Sequence, residues 1–245
     1  MKDNFSHQSD HYAQFRPKYP QDLFDYINSL VEIRSNVWDC GTGNGQIAIE
    51  LSKTFERVFA TDISQQQIEQ APRSENIFYS IQAAEKSNFE NDFFDLIIVA
   101  QAVHWFEFSK FYSEVNRTGR PNSRLILVGY GRIEISIDID KIITNFYQNK
   151  LARYWDTERR YIDEMYSTIP FPFEEIEAPN FEIKHSWTLA HFIGYINTWS
   201  AVKHCIRLSQ SNPVEELSLE LMQYWAEGEE KLVRFPLFLR IGKIK

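Results

Sequence analysis

The chain has 245 residues, 43% of them hydrophobic and 24% charged, and its 26 lysines and arginines against 34 aspartates and glutamates give a formal net charge of -8. A chain this long buries enough surface to fold without disulfides or a structural metal, which excludes an intrinsically disordered protein and a disulfide scaffold. The acidic balance speaks against nucleic acid or an anionic membrane as partner, and the longest apolar run, Phe93 to Ala100 with Asp95 inside it, falls far short of the ~20 residues that a membrane span needs.

The first predicted element is a helix after Pro20, where Leu23, Phe24, Ile27, Leu30 and Val31 recur on one face. Val37-Trp38 reads as a short buried strand. It runs into the glycine turn Asp39 to Gly45, and Ile47, Ala48 and Leu51 then follow at helical spacing. The alternation continues with a strand at 57–60, a helix at 64–71 stopped by Pro72, and strands at 77–81 and 94–99. A helix carrying Phe108, Phe111, Tyr112 and Val115 and a strand at 124–128 complete it. Strands separated by helix-length segments predict a parallel α/β sheet with helices on both faces. Beyond residue 130 the rhythm changes. Ile133 to Ile139 alternates like a strand and the stretch to Tyr166 reads as helical. A strand is expected at 181–189, helices at 192–208 and 214–225, and a last strand at 233–241, where Pro236 points to an edge or bulge.

The turn is the most informative segment. Gly41, Gly43 and Gly45 at alternate positions let the backbone take positive φ and approach a ligand closely. A dinucleotide fingerprint needs G-x-G-x-x-G, and Gln46 stands where its third glycine belongs. Asp39, just before the turn, would repel a pyrophosphate and attract a cationic amino group. Asp62, at the end of the second strand, is placed to accept hydrogen bonds from a ribose. Ribose and amino group without phosphate describe S-adenosylmethionine.

At these residues the chain resembles a known family. VWDCGTGNG, FATDIS, AAEKSNF and FFDLIIVAQAVHWF look like the successive motifs of class I S-adenosylmethionine-dependent methyltransferases of the small-molecule, type 11 group. Tyr12 to Pro20, the Ala84-Glu85 pair, Gln101 to Phe106, Thr198 to Ala201 and the closing VRFPLFLRIGKIK are similar to a subgroup that includes trans-aconitate methyltransferases. The resemblance implies a doubly wound, seven-stranded, Rossmann-like methyltransferase sheet. It implies one domain over 1–245: an N-terminal lid and helix (1–35), a cofactor core (36–130), cap insertions with the sixth strand (131–230) and a final strand (231–245). It further implies cofactor contacts at Tyr12, Arg16, Asp39, Gly41, Thr42, Gly43, Gly45, Asp62, Ile63, Ala84, Glu85, Gln101 and Trp105. Where many relatives carry an adenine-binding Asp before the Ala-Glu pair, this chain has Ala83, which leaves that role to Glu85 and the backbone near Ala84.

His104 follows the fourth strand, where ligands of open α/β sheets bind, and is the candidate general base; the alternative is that it braces its turn. Trp199, Lys203, His204 and Arg207 lie close together on an expected cap helix and form a candidate stripe for an acidic acceptor, or else a solvated helix face. No metal site is expected, since the six histidines are scattered and two cysteines make no zinc cage. The reading is a cytoplasmic methyltransferase using S-adenosyl-L-methionine on a small-molecule acceptor, with a carboxylate oxygen as first candidate. A non-catalytic S-adenosylmethionine-binding protein and, more distantly, an NAD-dependent oxidoreductase are the alternatives. Cys40 and Cys205 fit a reducing compartment as buried thiols.

Overall fold

The computed structural model describes residues 15–245. Helix α1 (Gln21–Ser29) buries Leu23, Phe24 and Ile27, one apolar stripe. Strand β1 (Asn36–Cys40) is buried at every position, as a central parallel strand must be. Then follow α2 (Gln46–Leu51), β2 (Arg57–Asp62), α3 (Gln65–Glu69), β3 (Ile77–Ile81), β4 (Phe94–Ala100), a 3-10 turn (Val103–Trp105), α4 (Phe108–Thr118) and β5 (Gly119–Tyr130). The second half holds α5 (Ile137–Asn145), α6 (Arg159–Asp163), β6 (Glu174–Ile176), β7 (Glu182–Thr188), α7 (Leu189–Asn197), α8 (Ser200–Ser209), α9 (Val214–Leu221) and β8 (Glu230–Lys243).

The strands form one eight-stranded sheet in the order β3-β2-β1-β4-β5-β8-β6, with β7 also paired to β8. Pairing is parallel from β3 to β5 and antiparallel wherever β8 takes part. Alternate side chains feed two cores. Val37, Leu96, Ile98, Ile126 and Val128 pack on one face with α1, α2 and the cap helices. Trp38, Ile97, Val99, Leu125 and Leu127 pack on the other with Phe111 and Val115 of α4. This is the doubly wound α/β architecture that the strand and helix alternation predicts.

Several expectations are corrected in the cap half. Among the described residues the three-residue β6 joins the expected methyltransferase sheet as an eighth strand. Ile133 to Ile139 is not a strand: a single bridge joins Glu134 to Arg234. The chain then turns into α5, whose Asp140 Oδ1 accepts from Ile135 N at 2.9 Å. The helix expected over 192–208 is two helices, because Trp199 takes an extended conformation (ψ 136°) between them. Pro236 is neither at the sheet edge nor at a bulge. It stands one residue past the end of the β5 ladder, where its missing N–H leaves no β5 partner unsatisfied.

Candidate active site

The order of the sheet reverses between β1 and β4, so the chain leaves these two strands in opposite directions and opens a crevice at their carboxyl ends. A cleft lies there, bordered by the turn after β1, the ends of β2 and β4, and the segment around Arg16.

All three glycines of the turn have positive φ: +73° at Gly41, +55° at Gly43 and +77° at Gly45. They are not equivalent. A Cβ on Gly41 would lie 2.7 Å from the Ala102 Cβ, and one on Gly45 2.5 Å from the Tyr79 hydroxyl, so both are required by the protein's own packing. A Cβ on Gly43 would meet nothing nearer than 3.8 Å, because that position faces the cleft. Gly43 therefore keeps the backbone bare toward a ligand. The turn is tied to β2 by Gly41 N and Thr42 N, which donate to Thr61 O at 2.8 and 2.9 Å.

Asp39 and Asp62 supply the acidic character. Cys40 pairs with Thr61, which sets Asp62 beside the turn. Its carboxylate accepts from Gly43 N at 2.8 Å and Ser64 N at 2.9 Å, so it shapes the turn as well as lining the cleft. Asp39 is 1% exposed. Its Oδ2 accepts from Thr42 Oγ1 at 2.5 Å, while its Oδ1 has no hydrogen-bond partner among the described residues. Burial, reinforced by the charge of Asp62, pushes the Asp39 carboxyl up to about 7. An unpartnered, desolvated carboxylate oxygen at a cleft wall fits a cationic group of a ligand, because a cation there both pairs it and restores its ionisation.

Gln101, directly after β4, has φ +53°, an uncommon conformation for a residue with a side chain. It is held there by Gln101 N donating to Val128 O at 2.8 Å and by its Nε2 donating to Tyr130 O at 3.2 Å. Across the cleft, Arg16 Nη1 donates to the Tyr130 hydroxyl at 2.7 Å, and its guanidinium sits 5.5 Å from the Tyr195 ring centre.

Of the residues expected to hold the cofactor, Arg16, Asp39, Gly41, Thr42, Gly43, Asp62, Ile63, Ala84, Gln101 and Trp105 border the cleft. Gly45 lies behind the turn, as the left-handed residue before α2. Tyr12 lies outside the described residues. Glu85 is elsewhere: its Oε1 accepts from Glu107 N at 3.0 Å at the start of α4, so its carboxylate caps a helix. Gln82 borders the cleft near Ala84 instead.

The expected catalytic His104 is turned away as well. The 3-10 turn buries it to 7% exposure, places its Nδ1 3.2 Å from the Tyr166 hydroxyl, and keeps it off the cleft wall. Burial, with a smaller push from the charge of Arg159, drives it down to about 3, so it is a neutral packing group at physiological pH.

The expected acceptor stripe is not assembled. Trp199 packs among Tyr147, Trp155 and Tyr195, His204 Nδ1 lies 3.0 Å from Tyr154 O, and Arg207 is exposed. Only Lys203 lies close enough to Arg16 to feel its charge. The sequence reading missed Tyr130, Gln67 and Gln82 on the wall and Arg159 in the cap. The position of Tyr130 at the carboxyl end of the strand next to β4 was the available signal.

Comparison with known proteins agrees with this geometry. The family model for a methyltransferase domain matches residues 38–127. A Dictyostelium discoideum protein described as a methyltransferase is 34% identical, with 98% of this chain and 95% of that protein covered. A Saccharomyces cerevisiae protein described as an S-adenosylmethionine-dependent methyltransferase is 22% identical over 86% of this chain and 84% of its own length. A solved structure from Anaeromyxobacter dehalogenans, described as a type II methyltransferase, superposes with a TM-score of 0.87 at 36% identity, covering 94% of this chain and 98% of that one. The chain belongs to the class I S-adenosylmethionine-dependent methyltransferases.

Proposed function

We propose that this enzyme methylates an oxygen of a small organic acid. The observation that carries the reading is that the Arg16, Gln101 and Trp105 side of the cleft offers, among the described residues, no histidine, carboxylate or thiol; its ionisable groups are Arg16 and the phenols of Tyr19 and Tyr130, the latter accepting from Arg16. Arg16 is a permanent cation there, and His104, the one histidine nearby in sequence, faces Tyr166. A carboxylate acceptor is already ionised and needs no base. The resemblance to the trans-aconitate subgroup at Gln101 to Phe106 and Thr198 to Ala201 supports the same choice.

In this reading S-adenosylmethionine supplies a methyl group bonded to a positively charged sulfur. Asp39 Oδ1 pairs its amino group, and the carboxylate of Asp62, held by the Gly43 and Ser64 amides at the end of β2, faces the ribose hydroxyls. Gly43 lets the turn lie flat against the ligand, and Gln82 and Ala84 border the adenine. Trp105 and Phe106 exclude water from the reacting end. With S-adenosylmethionine bound, its activated methyl group would be the one passed to the acceptor oxygen, and with an acceptor that is already ionised this chain's residues would have no proton to hold or move. The protein's contribution is alignment at about 3 Å and a dry, oriented site.

The test is release of S-adenosylhomocysteine with carboxylic acids and their matched primary amides as acceptors. Turnover of acids is expected, with kcat at saturating S-adenosylmethionine flat from pH 7 to 9. Turnover confined to alcohols or amines, with a limb that reports a base, would refute the carboxylate reading.

A further inference from the structure

Beside the cleft, three cations gather in a protein whose net charge is -8. Arg16 lines the cleft. Lys203 on α8 is half-buried, and its ammonium has no hydrogen-bond or carboxylate partner among the described residues. Burial and the charge of Arg16 hold its pKa below the usual lysine range. Arg159, at the start of α6, is the third. Its Nε donates to the Tyr147 hydroxyl at 2.8 Å and lies 3.8 Å from Asp163 Oδ1. Its guanidinium carbon stands 5.4 Å from the Tyr147 ring centre and 4.9 Å from that of Trp155.

This arrangement uses one edge of the guanidinium and leaves the other. Nη1 and Nη2 have no acceptor among the described residues, although the side chain is only 27% exposed. The position also joins both sides of the site. The charge of Arg159 acts on His104 and Tyr166, behind Trp105, and on Tyr195, the ring that carries Arg16. Trp199 bridges the aromatic floor, with ring centres 5.8 Å from Tyr147 and 6.0 Å from Tyr195. A half-buried guanidinium stacked on two aromatic rings, its Nε edge turned to the Tyr147 hydroxyl and Asp163 and its Nη pair without an acceptor among the described residues, suits a planar anion bound in two-pronged fashion.

We propose that Arg159 is the residue that selects and orients the acceptor, its Nη pair gripping a carboxylate over the Trp155 and Tyr147 rings while Arg16 and Lys203 supply further positive potential. The proposal rests on the small-acid reading above and adds to it a residue outside the cleft wall. The acceptor class is then an organic acid with at least two carboxylates, one held at Arg159 and one presented to the methyl group.

The experiment compares the full-length enzyme with Arg159→Gln and Arg159→Lys, using acetate, succinate and citrate as acceptors and calorimetry with S-adenosylhomocysteine. The expected result is turnover of a di- or tricarboxylate in preference to acetate. Arg159→Gln should raise the KM of that acid at least tenfold and leave the S-adenosylhomocysteine Kd within about twofold, and Arg159→Lys should recover part of the loss. Should Arg159→Gln fail to fold, Arg159→Lys alone is read, with an intermediate rise in KM expected. An unchanged acid KM in a folded variant overturns the role of Arg159 and leaves the acid reading standing. Failure of the wild type to turn over any of the three acids, while amines or alcohols are methylated, overturns both.

Discussion

Asp39 carries the most informative chemistry of any single residue in the cleft. Its carboxyl, normally near 3.8, is pushed to about 7 chiefly by burial. For such a group the folded state holds the proton more tightly than the unfolded state. Its stabilising contribution is therefore complete below pH 3.8 and is lost as pH rises to about 7. Above that, the empty cleft holds an ionised carboxylate with one oxygen unpartnered. Asp39→Asn should stabilise the ligand-free protein by about 1–2 kcal/mol at pH 8 and by much less near pH 4, as thermal melts at the two values would show. Cofactor binding should respond in the opposite sense. If Asp39 pairs the amino group, S-adenosylhomocysteine affinity falls up to tenfold per unit below pH 7, and the variant binds weakly at every pH. An Asp39→Asn protein that binds as tightly as wild type would remove the carboxylate from this role.

Among the elements, the strand–turn–helix from β1 to α2 was legible because its constraints are local. Positive φ at three alternate positions permits little besides glycine, and the carboxyl ends of β1 and β2 fix where Asp39 and Asp62 go. The two glycines that meet protein atoms and the one that does not should separate on substitution. Gly41→Ala combines a wrong-handed φ with a 2.7 Å contact and should cost about 2–4 kcal/mol of stability. Gly43→Ala has only the conformational penalty, about 1 kcal/mol, yet its Cβ enters the cleft, so its loss of cofactor affinity should exceed its loss of stability. Chemical denaturation and calorimetry on the pair would check this, and equal stability losses would contradict it. What was illegible depended on distant partners. His104 follows β4 as a catalytic residue would, but Tyr166, far along the chain, draws it inward. Glu85 sits in a familiar pair but faces the free N–H of Glu107. The cap stripe dissolved because the chain breaks at Trp199, an apolar residue that sequence periodicity carries straight through as helix. Arg159 carried no motif at all, and only the rings of Tyr147 and Trp155 give it a place.

For the whole molecule, β8 decides whether cap and core behave as one body. Its carboxyl half pairs with β5 of the cofactor half, from Leu237 against Tyr130 to Lys243 against Arg124. Its amino half pairs with β7, from Glu182 to Thr188, and Thr188 then caps α7 by accepting from His191 N at 3.3 Å. A single continuous strand thus crosses the boundary, with no exposed linker where the halves would part. The cap should unfold with the core in a single transition. Ligand at the β1 turn then stabilises residues it never touches. S-adenosylhomocysteine at about a hundred times its Kd contributes roughly 2.7 kcal/mol, which for a chain of this size raises the melting temperature by roughly 5–10 °C. The buried Trp38 belongs to the core and Trp155, Trp187 and Trp199 to the cap, so single-tryptophan variants report on each half. Both reports should rise together by the same amount. A cap signal that melts first, or that stays in place when the core signal moves, would mean that the pairing along β8 does not carry the coupling and that the cap is a separate cooperative unit.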